Sequence, residues 1–419
     1  MPEKKYPNRW TIAIAGVVIQ TCLGTVYAWS IFKYPLLDLG HGWTGTDINL
    51  AFTLVVVVLA FSAALGGYIF DAKGPRIVAT LSGIFFGLGI LITGFGTHIG
   101  NLWVLYLGYC LICGIGLGFG YIVPVATLVK WFPDKRGLIT GMAVLGFGMG
   151  SGLMSVIVPG MLDGGMSVPV TFYIFGAVFL AAVTAAAQLM VVPPAGYTPA
   201  GWTPPAGTPS AASGKTLGEA VRSKTWWLLW GMLFINISAG LAVISQARPM
   251  AQSFMNESIA NPGQLAGTLM LIFAFFNTVG RLIWASLSDI IGRRQVFLIL
   301  FISQASVFLL MFLIPPTNLV LFSILASYIY GCLGGGFATM PAYAADTFGT
   351  QYVGRIYGWM LTAWAAAGIL GPQLFGLTFR VAGNYRQAML VMAIIFTIAL
   401  ALPVLAAPKK GNKGEGSSA

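Results

Sequence analysis

Charge is scarce in this chain. Of 419 residues only 8% are Asp, Glu, Lys or Arg, against roughly 25% in an ordinary soluble domain. Hydrophobic residues make up 57%, and the mean hydropathy is +0.85. That deficit excludes a water-soluble globular fold. Histidine is scarcer still, with two residues, His41 and His98. A membrane-embedded enzyme needs a nucleophile–base pair or metal ligands; both histidines fall in predicted loops, so an enzyme has little support. The four cysteines, Cys22, Cys110, Cys113 and Cys332, all lie inside apolar runs. Disulfides favour loop cysteines on an oxidising face, so these read as packing thiols. No metal or other cofactor is expected.

What the chain has is long apolar runs. A membrane span needs about 20 such residues. The runs predict twelve helices, near 10–32, 46–70, 77–97, 102–130, 137–160, 169–192, 226–250, 263–288, 295–315, 318–345, 354–380 and 386–407. The first run is too long for the core of a cleaved signal, and no small-residue cleavage site closes it cleanly. The longest polar insert, 193–225, is rich in Pro, Gly, Ala, Ser and Thr and reads as a linker. It separates a first six-helix unit, 1–192, from a second, 226–408, with a tail at 409–419. Thr216 to Lys224 is expected to form a short amphipathic surface helix leading into Trp226 and Trp227, a residue type that favours the membrane interface.

The net charge of +11 raises nucleic acid as a partner, and its distribution rejects it. With both termini cytoplasmic, 17 of the 22 basic residues fall on that side: Lys4, Lys5, Arg9, Lys73, Arg76, Lys130, Lys135, Arg136, Lys215, Arg222, Lys224, Arg293, Arg294, Arg355, Lys409, Lys410 and Lys413. The other side takes Lys33, Arg248, Arg380 and Arg386. This is the positive-inside asymmetry of a membrane protein.

Every acidic residue falls in a loop, a tail or at a helix end. One basic residue does not. Arg281 lies eight residues before Asp289, ~12 Å into the eighth span. An intramembrane Arg costs ~2.5–3.5 kcal/mol on insertion scales. The bland reading pairs it with a buried carboxylate, and the sequence offers none at that depth; backbone carbonyls or water remain as alternatives. The sharper reading makes the substrate its counter-ion, since a guanidinium fork matches a carboxylate. The equivalent position in the first half is Ala63, so there is one cation, which favours a monocarboxylate. Asn277, one turn before Arg281, shares its face. Asn236, Tyr121, Tyr27, Tyr328, Tyr330 and Trp364 lie at similar depth and are candidates to line the site; any one of them taken alone also reads as packing. Drug export commonly uses a buried acid, and none is present.

The chain repeats itself. Gly67-Tyr-Ile-Phe-Asp71-Ala-Lys73-Gly74-Pro75-Arg76 follows the second span, and Ala285-Ser-Leu-Ser-Asp289-Ile-Ile-Gly292-Arg293-Arg294 follows the eighth. Both read small-x-x-x-Asp-x-x-Gly-x-Arg, at matching places in two halves. This pattern resembles the signature loop of the major facilitator superfamily. The resemblance implies an all-α membrane protein with twelve transmembrane helices in two pseudo-symmetric six-helix bundles. A central cavity would open alternately to each side. It also implies gating or structural roles for Asp71, Arg76, Asp289 and Arg293, each Asp capping a helix and pairing with Arg residues of the neighbouring helix.

Trp131-Phe-Pro-Asp134-Lys135-Arg136-Gly137-Leu-Ile-Thr-Gly141-Met-Ala-Val-Leu145-Gly146-Phe-Gly148 is similar to the second signature of the monocarboxylate transporters, and to the same loop of bacterial oxalate/formate antiporters. Leu145 in this stretch is counted with the substrate-binding residues. Asn8-Arg9-Trp10 is more like the antiporter branch. In both branches the residue matching Arg281 binds the carboxylate. Two departures stand out. Trp364 falls where the oxalate carrier has a Lys, which argues against oxalate. Asn277 and Ile31 fall where animal lactate carriers have an Asp and a Lys. The resemblance therefore implies a bacterial inner-membrane homologue, with cytoplasmic termini, monomeric, carrying a lactate-like anion with a proton. The alternative is an organic anion antiporter of the oxalate/formate type. Arg holds its proton in proteins, so the residues alone leave symport and exchange both open.

Overall fold

The structure, a computed structural model, describes residues 7–194, 196–203, 214–253, 262–313, 319–382 and 385–406. Lys4, Lys5, the 409–419 tail, part of the linker and the Arg248 side chain lie outside the described residues. Twelve described helices are long and apolar enough to cross a membrane. They are α1 (Arg9–Leu37), α2 (Gly45–Lys73), α3 (Pro75–His98), α4 (Leu102–Trp131), α5 (Arg136–Asp163), α6 (Val168–Ala187), α7 (Lys224–Val243), α8 (Leu271–Ile291), α9 (Arg293–Leu313), α10 (Leu319–Phe348), α11 (Val353–Thr378) and α12 (Tyr385–Leu405).

Two boundaries differ from expectation for local reasons. α6 stops at Ala187, five residues short of 192, where the chain turns at Gln188 and Leu189, and Pro193 disfavours helix at Val192, the last residue of the expected span. α1 continues past 32 to Leu37 by tightening into a 3-10 turn over Thr25–Phe32. α4 widens instead, into a π segment over Leu107–Cys113. The two irregularities meet: Trp29 stacks on Tyr109 with ring centroids 3.8 Å apart.

Helix starts follow capping chemistry. Asn8 accepts from the Trp10 N–H at the start of α1, and Thr44 with Asp47 forms a reciprocal capping box on α2. The sequence repeat becomes one turn built twice. Gly74 between α2 and α3 has φ +84° and Gly292 between α8 and α9 has φ +94°, a left-handed conformation that glycine adopts without penalty. The linker ends in a short helix, Leu217–Arg222, capped by Thr216 and Glu219. It is tied to the end of α10 by a bond from the Lys215 N–H to the Phe348 carbonyl at 2.9 Å. Of the tryptophans that follow, Trp226 is buried and Trp227 exposed.

Packing repeats with a shift of six helices. In the first half α3 packs on α6, α1 on α5 and α2 on α4; in the second, α9 packs on α12, α7 on α11 and α8 on α10. The halves meet along two seams, α2 against α11 and α5 against α8. Lipid offers no hydrophobic drive to press helices together, so close seams need small residues. Ala63 and Gly67 face Gly354 and Gly358 on one seam; Gly137 and Gly141 face Ala285 and the Arg281 backbone on the other. A methyl on Gly67 would run into the Gly354 carbonyl.

Candidate substrate site

Arg281 is buried between the halves, its side chain lying where α8 crosses α5. Gly141 and Gly148 leave α5 bare at this crossing: Gly141 faces the Arg281 carbonyl and Gly148 faces Thr278. The guanidinium therefore reaches across. Its Nε donates to Asn277 Oδ1 at 3.1 Å, and its Nη1 donates to the Val144 carbonyl of α5 at 3.2 Å. Asn277 Nδ2 donates to the Tyr330 carbonyl of α10 at 3.1 Å. Among the described residues no carboxylate lies within ion-pair distance of Arg281. A guanidinium has five N–H donors; Asn277, Val144 and the neighbouring Tyr27 hydroxyl engage three, so about two remain for a ligand.

Aromatic rings from both halves enclose the charge. Phe337 lies 5.5 Å from the Arg281 guanidinium carbon and 4.9 Å from the Trp364 ring. Trp364 in turn meets Tyr121 at 5.6 Å, Phe147 at 6.0 Å and Tyr27 at 6.1 Å. Phe147 meets Tyr27 at 5.0 Å and Tyr121 at 5.5 Å. Tyr357, two turns before Trp364 on α11, is fully buried next to Tyr121. The Tyr330 hydroxyl and the indole N–H of Trp364 are buried with no hydrogen-bond partner within the protein, and the buried Tyr121 and Tyr357 hydroxyls have only each other. Each such group costs about 1–3 kcal/mol if nothing meets it. Water or a ligand with acceptor oxygens fits these donors.

One end of the molecule is closed over this site. The Asp289 carboxylate accepts from the Gly137 and Leu138 N–H groups, both at 2.8 Å, capping α5 of the opposite half. It also pairs with Arg293 at 2.7 Å. Asp346 at the end of α10 joins Arg293 of its own half at 2.9 Å and, across the halves, Arg136 at 2.6 Å. The first-half copy does the same: Asp71 accepts from the Arg355 N–H at 3.2 Å in the first turn of α11 and pairs with its guanidinium at 3.3 Å. Both aspartates thus sit on helix N-termini, where backbone dipoles favour negative charge.

The Major Facilitator Superfamily matches the chain over residues 12–372 and again over 247–418. The chain belongs to this superfamily. Among solved structures, the facilitator FucP in its outward conformation superimposes with a TM-score of 0.71 at 13% identity, covering 95% of this chain and 99% of that one. Among sequences, the oxalate:formate antiporter of Oxalobacter formigenes is 29% identical over 411 residues, 97% of this chain and 93% of the antiporter. Apicoplast pyruvate carrier 1 of Toxoplasma gondii is 26% identical, covering 86% and 82% of the two chains.

Within this facilitator the structure gathers Arg281, Asn277, Tyr27, Tyr121 and Trp364 into one cluster. Tyr330 contributes its carbonyl to Asn277, while its ring packs on Phe273 at 4.9 Å. Leu145 is half-buried, one residue after the Val144 carbonyl that holds Arg281. Asn236 is not in the cluster. Its amide donates to the Cys332 and Leu333 carbonyls and accepts from Gln304 Nε2 at 3.1 Å, tying α7 to α9 and α10. A buried amide needs partners, and bare Gly336 beside it opens the carbonyls of α10. Among the loop residues, Arg76 stands exposed, and the cations beside Asp71 are Arg355 of the other half, which pairs with it, and Lys130 of its own. Phe147, Phe337 and Tyr357 were not expected at the site. An aromatic residue in an apolar helix carries no sequence signal that separates a cavity wall from packing.

Proposed function

We propose that this facilitator carries small monocarboxylates of the lactate or pyruvate kind across a bacterial inner membrane, by proton symport with alternating access. The observation that carries this reading is a buried Arg281 with no carboxylate partner among the described residues. A bound carboxylate supplies the missing charge and lowers the cost of occluding the pair in a low-dielectric site. A single cation in an aromatic wall suits one carboxylate with a short apolar body. The basic end, with the Asp71 and Asp289 contacts, is the cytoplasmic end, and its closure corresponds to a state facing outward. The carrier functions as a monomer.

A second reading, anion exchange of the oxalate/formate type, rests on a specific observation. Arg281 keeps its proton, and an empty site leaves its charge unbalanced, so reorientation without a ligand is disfavoured. No Asp, Glu or His among the described residues bonds to the cluster to carry a proton instead; His41 lies elsewhere, its Nε2 3.0 Å from the Thr97 carbonyl. The deciding experiment is uptake of radiolabelled lactate into proteoliposomes. Uptake into an empty lumen, accelerated by an inward proton gradient, supports symport. Dependence on preloaded anion supports exchange. No lactate or pyruvate uptake in either format sinks the monocarboxylate reading.

A further inference from the structure

A second cavity, of about 410 Å³, lies outside the Arg281 cluster, between α7, α11 and α12. Phe234 and Ser238 of α7, Gly371, Leu374 and Leu377 of α11 and Met392 of α12 line it, and Arg380 borders it. Its volume falls within the ~300–1,000 Å³ usual for small-molecule pockets. Leu374 and Leu377 are 37% and 53% exposed on the apolar flank of the bundle, so the cavity opens sideways toward lipid.

Length and charge identify the occupant. From Gly371 at the deep end to Arg380 is nine residues, ~13.5 Å of helix. Half a hydrocarbon core is ~15 Å. The crevice therefore reaches from one membrane surface about to the midplane and accepts an alkyl chain from a single leaflet. Arg380 stands exposed just beyond the α11 span, in the last turn of the same helix, which runs on to Ala382, at the end remote from the Asp71 and Asp289 contacts. No carboxylate among the described residues pairs with it. A guanidinium without a carboxylate partner among the described residues, at the mouth of an apolar slot, complements a headgroup phosphate, which it binds through its planar fork.

We propose that this crevice binds one acyl chain of an anionic phospholipid from the leaflet opposite the basic end, with the lipid phosphate on Arg380. Because the slot flanks the α7–α11 contact, the lipid stabilises the second half without entering the substrate path.

The test is native mass spectrometry of the full-length carrier released from nanodiscs of mixed phosphatidylglycerol and phosphatidylcholine, with oleate added in a parallel arm. The parent protein is expected to retain phosphatidylglycerol over phosphatidylcholine by at least ~5-fold. Arg380→Ala is expected to erase that preference, Arg380→Lys to keep most of it, and Leu374→Trp, which fills the slot, to release both lipids. Circular dichroism with a thermal melt confirms that each variant is folded. Equal retention of phosphatidylglycerol by the parent, Arg380→Ala and Leu374→Trp overturns the site. Retention of oleate alone, with Arg380 dependence, overturns the phospholipid assignment.

Discussion

The Arg281 guanidinium is aimed by a neutral amide: its Nε donates to Asn277 Oδ1 at 3.1 Å, one turn away on the same helix. Asn277 is itself held by the Tyr330 carbonyl at 3.1 Å. The orienting group thus fixes direction without cancelling charge. An Asp at that position would do both, and would compete with an incoming carboxylate. The electrostatic appetite of the site depends on this one amide.

The first prediction follows from that competition. Asn277→Asp places a titratable carboxylate against Arg281. At neutral pH the new ion pair opposes substrate binding, and protonation on lowering the pH frees the guanidinium. Uptake by Asn277→Asp is expected to fall below the parent at about pH 7.5 and to recover toward about pH 5.5. A pH profile in proteoliposomes, with the gradient clamped, checks it; parallel profiles for the two proteins refute it.

Arg281 itself separates charge from shape. Arg281→Ala removes both and is expected to abolish uptake. Arg281→Lys keeps the charge and loses the planar fork. Losing one charge-assisted hydrogen bond costs ~1.5–3 kcal/mol, so KM for the carboxylate is expected to rise ~10- to 150-fold. Wild-type transport by the Ala variant would sink the carboxylate site.

Trp364 is the wall between the two halves of the site, within 6.1 Å of four rings: Tyr27, Tyr121, Phe147 and Phe337. Trp364→Lys exchanges that wall for a second cation. Specificity is a difference of affinities, so the ratio of oxalate to lactate uptake is expected to rise at least ~10-fold. Competition of the two anions in one uptake assay measures it, and an unchanged ratio in a folded variant argues that Trp364 does not face substrate.

The closed end gives a conformational prediction. Asp289→Asn removes the charge from the two α5 caps and breaks the pair with Arg293. Loss of ~1–2 kcal/mol shifts the closed population by a factor of ~5–30. Spin labels at exposed Lys135 and Ile290 are expected to report a longer-distance population in pulsed EPR. A distribution identical to the parent's contradicts the latch.

The seam itself offers a control pair. A methyl on Gly67 would run into the Gly354 carbonyl, whereas one on Gly376 meets open space. Gly67→Ala is expected to slow uptake and open the basic end, and Gly376→Ala to leave uptake unchanged. Equal uptake by both variants shows that the α2–α11 contact is not used in the cycle.

Much of the fold was legible because its signals are local. Twelve apolar runs, one Pro- and Gly-rich insert and two copies of an Asp-x-x-Gly-x-Arg loop required no knowledge of which helix touches which. Arg281 was legible for a related reason: in a chain with so little charge, its depth could be counted from Asp289. Asn236 shows where that reasoning ends. Its depth matches the site, yet depth does not specify a face, and in the structure its amide ties α7 to α9 and α10. Tyr357 shows the converse, a buried hydroxyl at the cluster that nothing in its neighbourhood of sequence distinguished.

The sequence by itself determined the number of spans, the doubled architecture and the single membrane-embedded cation, because a low dielectric penalises each polar residue individually and leaves a trace in composition. Only the tertiary structure decided that Asp71 and Asp289 each cap a helix of the opposite half, and that Phe147, Phe337 and Trp364 close around Arg281. Those relationships join residues more than a hundred positions apart in several cases. Contacts across such separations are set by how bare glycine faces let two bundles approach, and no local pattern records the angle at which they meet.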